Sequence, residues 1–165
     1  ESLSKKDRHE LRRKLRRLSG AGEIKYYALA KPEEMNGAMN DFLHLLKISR
    51  SDKFEFLTPQ IESFFNRMAL AMAPEDYIKL CFLELNGSRV ASVMCFDFGG
   101  EYSLYNSGYD PAYSSLSVGL LSKGFCLQEA IARKRSHFDF LRGTEPYKYD
   151  LGGLDEPIYS VVVRR

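Results

Sequence analysis

Three strand-like runs in a row, separated only by glycine-centred turns, limit what this 165-residue chain can fold into. Tyr77 to Leu85, Arg89 to Phe98 and Glu101 to Tyr109 are rich in aliphatic and aromatic residues, and Asn86-Gly87 and Gly99-Gly100 divide them. An Asn-Gly pair between apolar runs favours a tight hairpin turn, so the three runs predict an antiparallel meander. The meander is preceded by a strand-like run, Ile24 to Ala30, and two helices. The first helix opens at Pro32 and carries Met35, Ala38, Met39, Phe42, Leu45 and Leu46 at the 3.6-residue period. The second is capped by Thr58-Pro59, carries Ile61, Phe64, Phe65, Met68 and Met72, and stops at Pro74. After the meander, Leu120, Leu121, Gly124, Leu127 and Ile131 mark a helix ending in Arg133, Lys134 and Arg135. A strand is expected at His137 to Leu141 and a last one at Ile158 to Val163. The pattern predicts an α/β (α+β) fold: a mixed, mostly antiparallel sheet with helices on both faces.

Charge separates the ends of the chain. Residues 1–17 hold eight Lys/Arg against three acids, a net +5, and the remaining residues hold 16 against 19, a net −3. Leu11, Leu15 and Leu18 recur at helical spacing in the basic segment, and Ser4 and Asp7 stand in capping relation. This predicts an amphipathic helix docked by one face. Its basic stripe reads as a solvated surface, or as a linker from an upstream segment, in preference to a tRNA or membrane contact. Residues 1–22 are therefore set apart from a domain spanning 23–165. Cys81, Cys95 and Cys126 are odd in number and lie in apolar surroundings, which favours buried thiols over a disulfide framework or a metal site. No apolar run approaches the roughly 18 residues of a membrane span, and without a visible export signal a cytoplasmic location is expected. His9, His44 and His137 form no nucleophile pattern, and Walker, GxSxG, HExxH and Rossmann signatures are absent.

The segments Tyr105-Asn106-Ser107-Gly108-Tyr109-Asp110-Pro111-Ala112-Tyr113, Ser117-Val118-Gly119-Leu120-Leu121 and Phe138-Asp139-Phe140-Leu141-Arg142-Gly143-Thr144-Glu145-Pro146-Tyr147-Lys148 carry a resemblance. They resemble the GNAT-type acyltransferase domain of the BioF2-like or CelD-like proteins of cellulose and exopolysaccharide biosynthesis, which are similar in turn to Fem-type peptidyltransferases. The resemblance implies an enzyme moving an acyl group from acetyl-CoA or another acyl-CoA, without a metal, to an amine or hydroxyl of a sugar or envelope precursor. The alternatives it leaves open are a Fem-like aminoacyl-tRNA-dependent transferase and a non-catalytic binding module in polysaccharide assembly. It also implies a small-molecule acceptor, an upstream GNAT-like half of the same chain, and the option of a homodimer.

In such folds a helix N-terminus after the fourth strand holds the coenzyme A diphosphate, through unpaired N–H groups and a partial positive charge. Here that turn is Ser115, Ser117, Val118, Gly119 and Leu120, although the usual run of spaced glycines is reduced to Gly119. The pantetheine arm lies where the fourth and fifth strands part. Tyr147 corresponds to the tyrosine that protonates the leaving thiolate, or else anchors its loop. Glu145 and Asp139 are the carboxylates available as base or acceptor contact. Asp139, between two phenylalanines on a strand expected to be central, would gain basicity from burial, or would pair with Arg142 or Lys148. Arg142, Lys148, Tyr105 and Asn106 are the expected substrate contacts.

Overall fold

A computed structural model describes residues 3–163; Glu1, Ser2, Arg164 and Arg165, the outermost residues of the two expected segments, lie outside the described residues. Five strands form one sheet in the order β1 (Ile24–Leu29), β2 (Ile78–Leu85), β3 (Ser88–Phe98), β4 (Glu101–Tyr109) and β5 (His137–Asp139). The first three pairings are antiparallel and β4–β5 is parallel. Asn86 and Gly87 both take positive φ, +53° and +80°, as the tight β2–β3 turn requires. The two central strands are buried on both faces, and their near-continuous apolar sequence follows from that.

Helices cover both faces. Helix α2 (Pro32–Ser49) and α4 (Pro59–Met72) pack one side, where Phe42, Leu46 and Phe65 meet Ile78, Leu80 and Phe82. Pro at the first turn and the Thr58 hydroxyl, which accepts from the Ile61 N–H at 3.3 Å, start α4 where the sequence places it. Helix α1 (Lys5–Ser19) and α5 (Val118–Ala132) cover the other side. The Ser4 hydroxyl caps α1 by accepting from the Asp7 N–H at 3.1 Å. Leu18 is fully buried, so α1 packs into the same body as the sheet. The three cysteines, far apart in sequence, are buried between sheet and α5 with their sulfurs within 4.8 Å of one another.

Three expectations are corrected. Residues 158–163 form no strand; Ile158 and Val161 are 84% and 87% exposed, because an alternating apolar pattern forms a strand only where another strand supplies hydrogen bonds. The strand at His137 stops at Asp139, since Leu141 takes a φ of +57° and turns the chain out of the sheet. β5 is therefore a short edge strand, and Asp139 is exposed rather than central and buried. Two short helices, α3 (Ser51–Phe56) and α6 (Pro146–Asp150), escape a periodicity reading because neither is longer than two turns.

Gly108 lets β4 approach α2 closely: a methyl group there would stand 2.5 Å from the Leu45 carbonyl. Gly108→Ala is expected to lower stability by about 1–3 kcal/mol, the usual effect of overpacking. Urea unfolding measures it, and an unchanged midpoint would show that α2 does not press on β4 at this point.

Candidate functional site

The site begins with a break in β4. Met94 pairs with Asn106 and Cys95 with Leu104, so Tyr105 has no partner and forms a bulge. A bulge bends and twists its strand. β5 pairs only with Glu101, Tyr102 and Ser103, after which the two strands part. Along Leu104 to Tyr109 the edge of β4 is left without a neighbouring strand. There the Ser107 N–H donates to Asn106 Oδ1 at 2.9 Å, and Lys53 of α3 donates to the Ser107 carbonyl and, at 3.2 Å, to Asn106 Oδ1.

Past β4 the chain makes a 3-10 turn, Pro111–Leu116, initiated by the Asp110 carboxylate accepting from the Ala112 N–H at 2.9 Å. Ser117 then takes a left-handed conformation, φ +57°, and α5 starts. The Ser117 N–H is taken by the Ser114 carbonyl at 3.0 Å, and the Leu120 and Leu121 N–H groups by the Ser117 carbonyl at 3.1 and 3.0 Å. The N–H groups of Val118 and Gly119 have no hydrogen-bond partner among the described residues. They are open donors at the positive end of a 15-residue helix. Gly119 is held small by packing, since a methyl there would lie 2.8 Å from the Tyr109 ring.

Ser117 to Leu120 line a hollow of about 270 Å³, with Lys14, Lys123 and Tyr147 completing its walls. Lys123 is only 8% exposed. Its ammonium donates to the Gly119 carbonyl at 2.7 Å and lies 4.7 Å over the Tyr147 ring. No carboxylate lies within ion-pair distance of it among the described residues. Burial, and then the positive charge of Lys53, pull its pKa from 10.5 to about 8. Tyr147 stands edge-on to Phe140, ring centroids 6.1 Å apart, and burial, then the Glu145 charge, push its pKa up to about 12. A hydroxyl in that state is a proton donor at neutral pH.

The other expected site residues separate by what their polar atoms already hold. Lys148 is buried and donates to the carbonyls of Leu141, Arg142 and Gly143 at 3.0, 2.8 and 3.1 Å and to Glu145 at 2.9 Å. With its donors spent on its own loop, it clamps the turn after β5. Glu145 remains exposed, and the Lys148 hydrogen bond lowers its pKa. Asp139 accepts from the Leu141 N–H at 2.7 Å and has no ion pair with Arg142 or Lys148 among the described residues. Arg142 is exposed, Tyr105 packs against Phe65 and Phe96, and the Ser115 carbonyl accepts from Arg17 of α1 at 3.1 Å. The hollow at the start of α5 thus gathers Ser117, Val118, Gly119, Leu120 and, from α6, Tyr147, whereas Ser115, Asp139, Glu145, Arg142, Lys148, Tyr105 and Asn106 do not line it.

Sequence reasoning missed Lys14, Lys53 and Lys123. Lys123 had a signal: it stands three residues from Leu120 and four from Leu127, on the apolar face of its helix. The profile of the acetyltransferase (GNAT) domain family matches residues 5–149. The chain belongs to the GNAT acetyltransferase family. It is accordingly an N-acyltransferase-type enzyme, and its helix α1 falls within the matched span. Solved structures agree on the fold. A GCN5-related N-acetyltransferase from Ralstonia eutropha JMP134 matches with TM-score 0.62 at 12% identity, covering 86% of this chain and 99% of that one. A predicted acetyltransferase with acetyl-CoA from Clostridium acetobutylicum gives 0.62 at 12%, over 85% and 96%. Glucosamine-6-phosphate N-acetyltransferase from Arabidopsis thaliana gives 0.55 at 13%, over 86% and 98%. No curated protein matches the sequence. No helix among the described residues is long and apolar enough to cross a membrane.

Within this GNAT domain the charge state of Lys123 has a measurable consequence. Its ammonium is protonated in both folded and unfolded chains below pH 8, so folding carries a desolvation cost of about 3 kcal/mol there. Between pH 8 and 10.5 the folded form sheds its proton first, and stability rises with pH. Lys123→Met is therefore expected to be more stable than the wild type by about 1–2 kcal/mol at pH 7, after the lost hydrogen bond is offset. The advantage should shrink as pH rises from 8 to 10.5. Calorimetric melting across that range is the check, and a variant less stable at pH 7 would mean that the buried charge is not strained.

Proposed function

We propose that this enzyme transfers an acyl group, acetyl in the simplest case, from acyl-CoA to an amine or hydroxyl of a sugar or cell-envelope precursor. The observation that carries the reading is the pair of unpartnered N–H groups of Val118 and Gly119, opening into a hollow whose walls include Lys14, Lys123 and Tyr147. A diphosphate fits such a place, because it accepts from helix-terminal amides and is neutralised by the Lys123 ammonium, which no carboxylate has claimed, and by Lys14, which it would share with Glu10. The pantetheine arm would then run into the gap beyond Ser103, with its thioester beside Tyr147.

On this reading transfer is direct. The acceptor nitrogen or oxygen attacks the thioester carbonyl and releases its proton to solvent water, while Tyr147 donates its hydroxyl proton to the departing thiolate as the C–S bond breaks and is reprotonated from solvent. Glu145, kept ionised by Lys148, serves as a charge and hydrogen-bond partner for the acceptor amine. Asp139, committed to the Leu141 N–H, positions the β5 turn. The placement of the domain in exopolysaccharide assembly, with BioF2-like and CelD-like proteins as functional kin and the cytoplasm as its location, belongs to this proposal. So does the view of residues 1–22 as the junction with an upstream half. Sugar acceptors occur among fold neighbours, as the plant glucosamine-6-phosphate enzyme illustrates.

Steady-state acetyl transfer, followed by free thiol release over a panel of amino sugars, tests the proposal. Tyr147→Phe should lower kcat by about 100-fold or more while leaving acetyl-CoA affinity within about twofold. A variant with unchanged kcat would remove Tyr147 as the acid, and acetyl-CoA that neither binds nor turns over would remove the donor.

A further inference from the structure

The acyl-CoA hollow lies on the α5 face of the sheet, and one cation reaches the same gap from the opposite face. Lys53 sits on α3, which follows α2 and whose Phe56 packs on Phe65 of α4. Its ammonium is tied to the free edge of β4, donating to the Ser107 carbonyl and to Asn106 Oδ1. Both partners are neutral oxygens, and an ammonium has three donors, so one remains open.

The two carboxylates whose charge acts on Lys53 are already engaged. Asp52 is held at 2.9 Å by both Arg50 Nε and Nη2, and Glu145 by Lys148 at 2.9 Å. No carboxylate lies within ion-pair distance of Lys53 among the described residues. The charges that act on it are Arg50, Asp52 and Glu145, and it acts in turn on Lys123, itself without a carboxylate. Two unneutralised ammonium groups therefore flank the gap from its two sides. Burial first, and Arg50 second, lower the Lys53 pKa to about 8, so an arriving anion would relieve an existing strain. Phe56, one helical turn along α3 from Lys53, is 47% exposed, and Tyr105, next in sequence to Asn106, is 40% exposed; both pack on Phe65. They offer flat apolar surface next to a positive charge.

We propose that Lys53 binds an oxyanion, a phosphate or a carboxylate, carried by the acceptor, so that the enzyme selects anionic acceptors over neutral or polycationic amines. The proposal rests on the acyl-CoA reading for the direction from which the acceptor enters. On this account the acceptor lies on the α3 side, with its anion on Lys53, a ring face against Tyr105 and Phe56, and its nucleophile turned toward Glu145 and the thioester.

Isothermal titration calorimetry with inorganic phosphate and with acetate, each with and without coenzyme A present, tests it. Wild-type protein should bind at least one of the two while coenzyme A is bound, and the tighter of the two identifies which anion the site prefers. Lys53→Gln should weaken that binding about tenfold or more, the loss of a charge-assisted hydrogen bond. Lys53→Arg should retain it, and coenzyme A affinity should be the same in all three proteins. In steady-state transfer, the preference for glucosamine 6-phosphate over glucosamine should fall by a similar factor in Lys53→Gln. Absence of anion binding in the presence of coenzyme A, or equal binding by Lys53→Gln, overturns the proposal and leaves the donor reading standing. Anion binding that depends on Lys53 in a protein that ignores coenzyme A supports the site and removes the donor reading.

Discussion

The site depends on β4 and β5 staying paired for only three residues. Parallel strands would otherwise continue side by side, each satisfying the other's N–H and C=O groups. Here the bulge at Tyr105 bends one strand and the left-handed turn at Leu141 removes the other, so the pairing ends at Ser103–Asp139. Backbone groups released by the separation must find other partners. At Ser107 they are the Asn106 side chain and the Lys53 ammonium, both of which a substrate can displace or share.

Around that opening the protein keeps positive charge that it does not neutralise. Lys123 is nearly buried and Lys53 partly so, each bonded only to neutral oxygens, whereas Lys148 a few residues away is fully satisfied by three carbonyls and a carboxylate. The contrast separates structure from function within one residue type. A satisfied lysine fixes a loop, and an unsatisfied one stores a cost that an anionic ligand relieves. Tyr147, stacked beneath Lys123 and raised to about 12, stays a neutral donor in the same environment.

The meander, the two long helices and the helix after it were legible in the sequence because turn residues and apolar periodicity are local signals. Asn86-Gly87, Thr58-Pro59 and the Met35-to-Leu46 stripe each stand where the structure uses them. The strand expected at Ile158 to Val163 failed for the opposite reason, since its pattern says nothing about whether a partner edge exists. Asp139 was misplaced with it: the expected burial presumed a strand on both sides of β5. The Ser117-to-Leu120 turn and Tyr147 were legible only through resemblance. Lys53 was not, because a lysine's lack of a counterion is a property of three-dimensional neighbours; Lys123 left only its place on the apolar face of α5, which marks burial and not the missing counterion.

The central claim is that the first amides of α5 grip a diphosphate whose thioester arm enters the gap between β4 and β5. Backbone amide NMR shifts, followed as coenzyme A is added, test it at the two atoms concerned. The account predicts that the Val118 and Gly119 resonances move furthest downfield, as unpartnered N–H groups gain charged acceptors, with Ser107 shifting as the gap fills. Shifts confined to other surfaces, with Val118 and Gly119 unmoved, would contradict it.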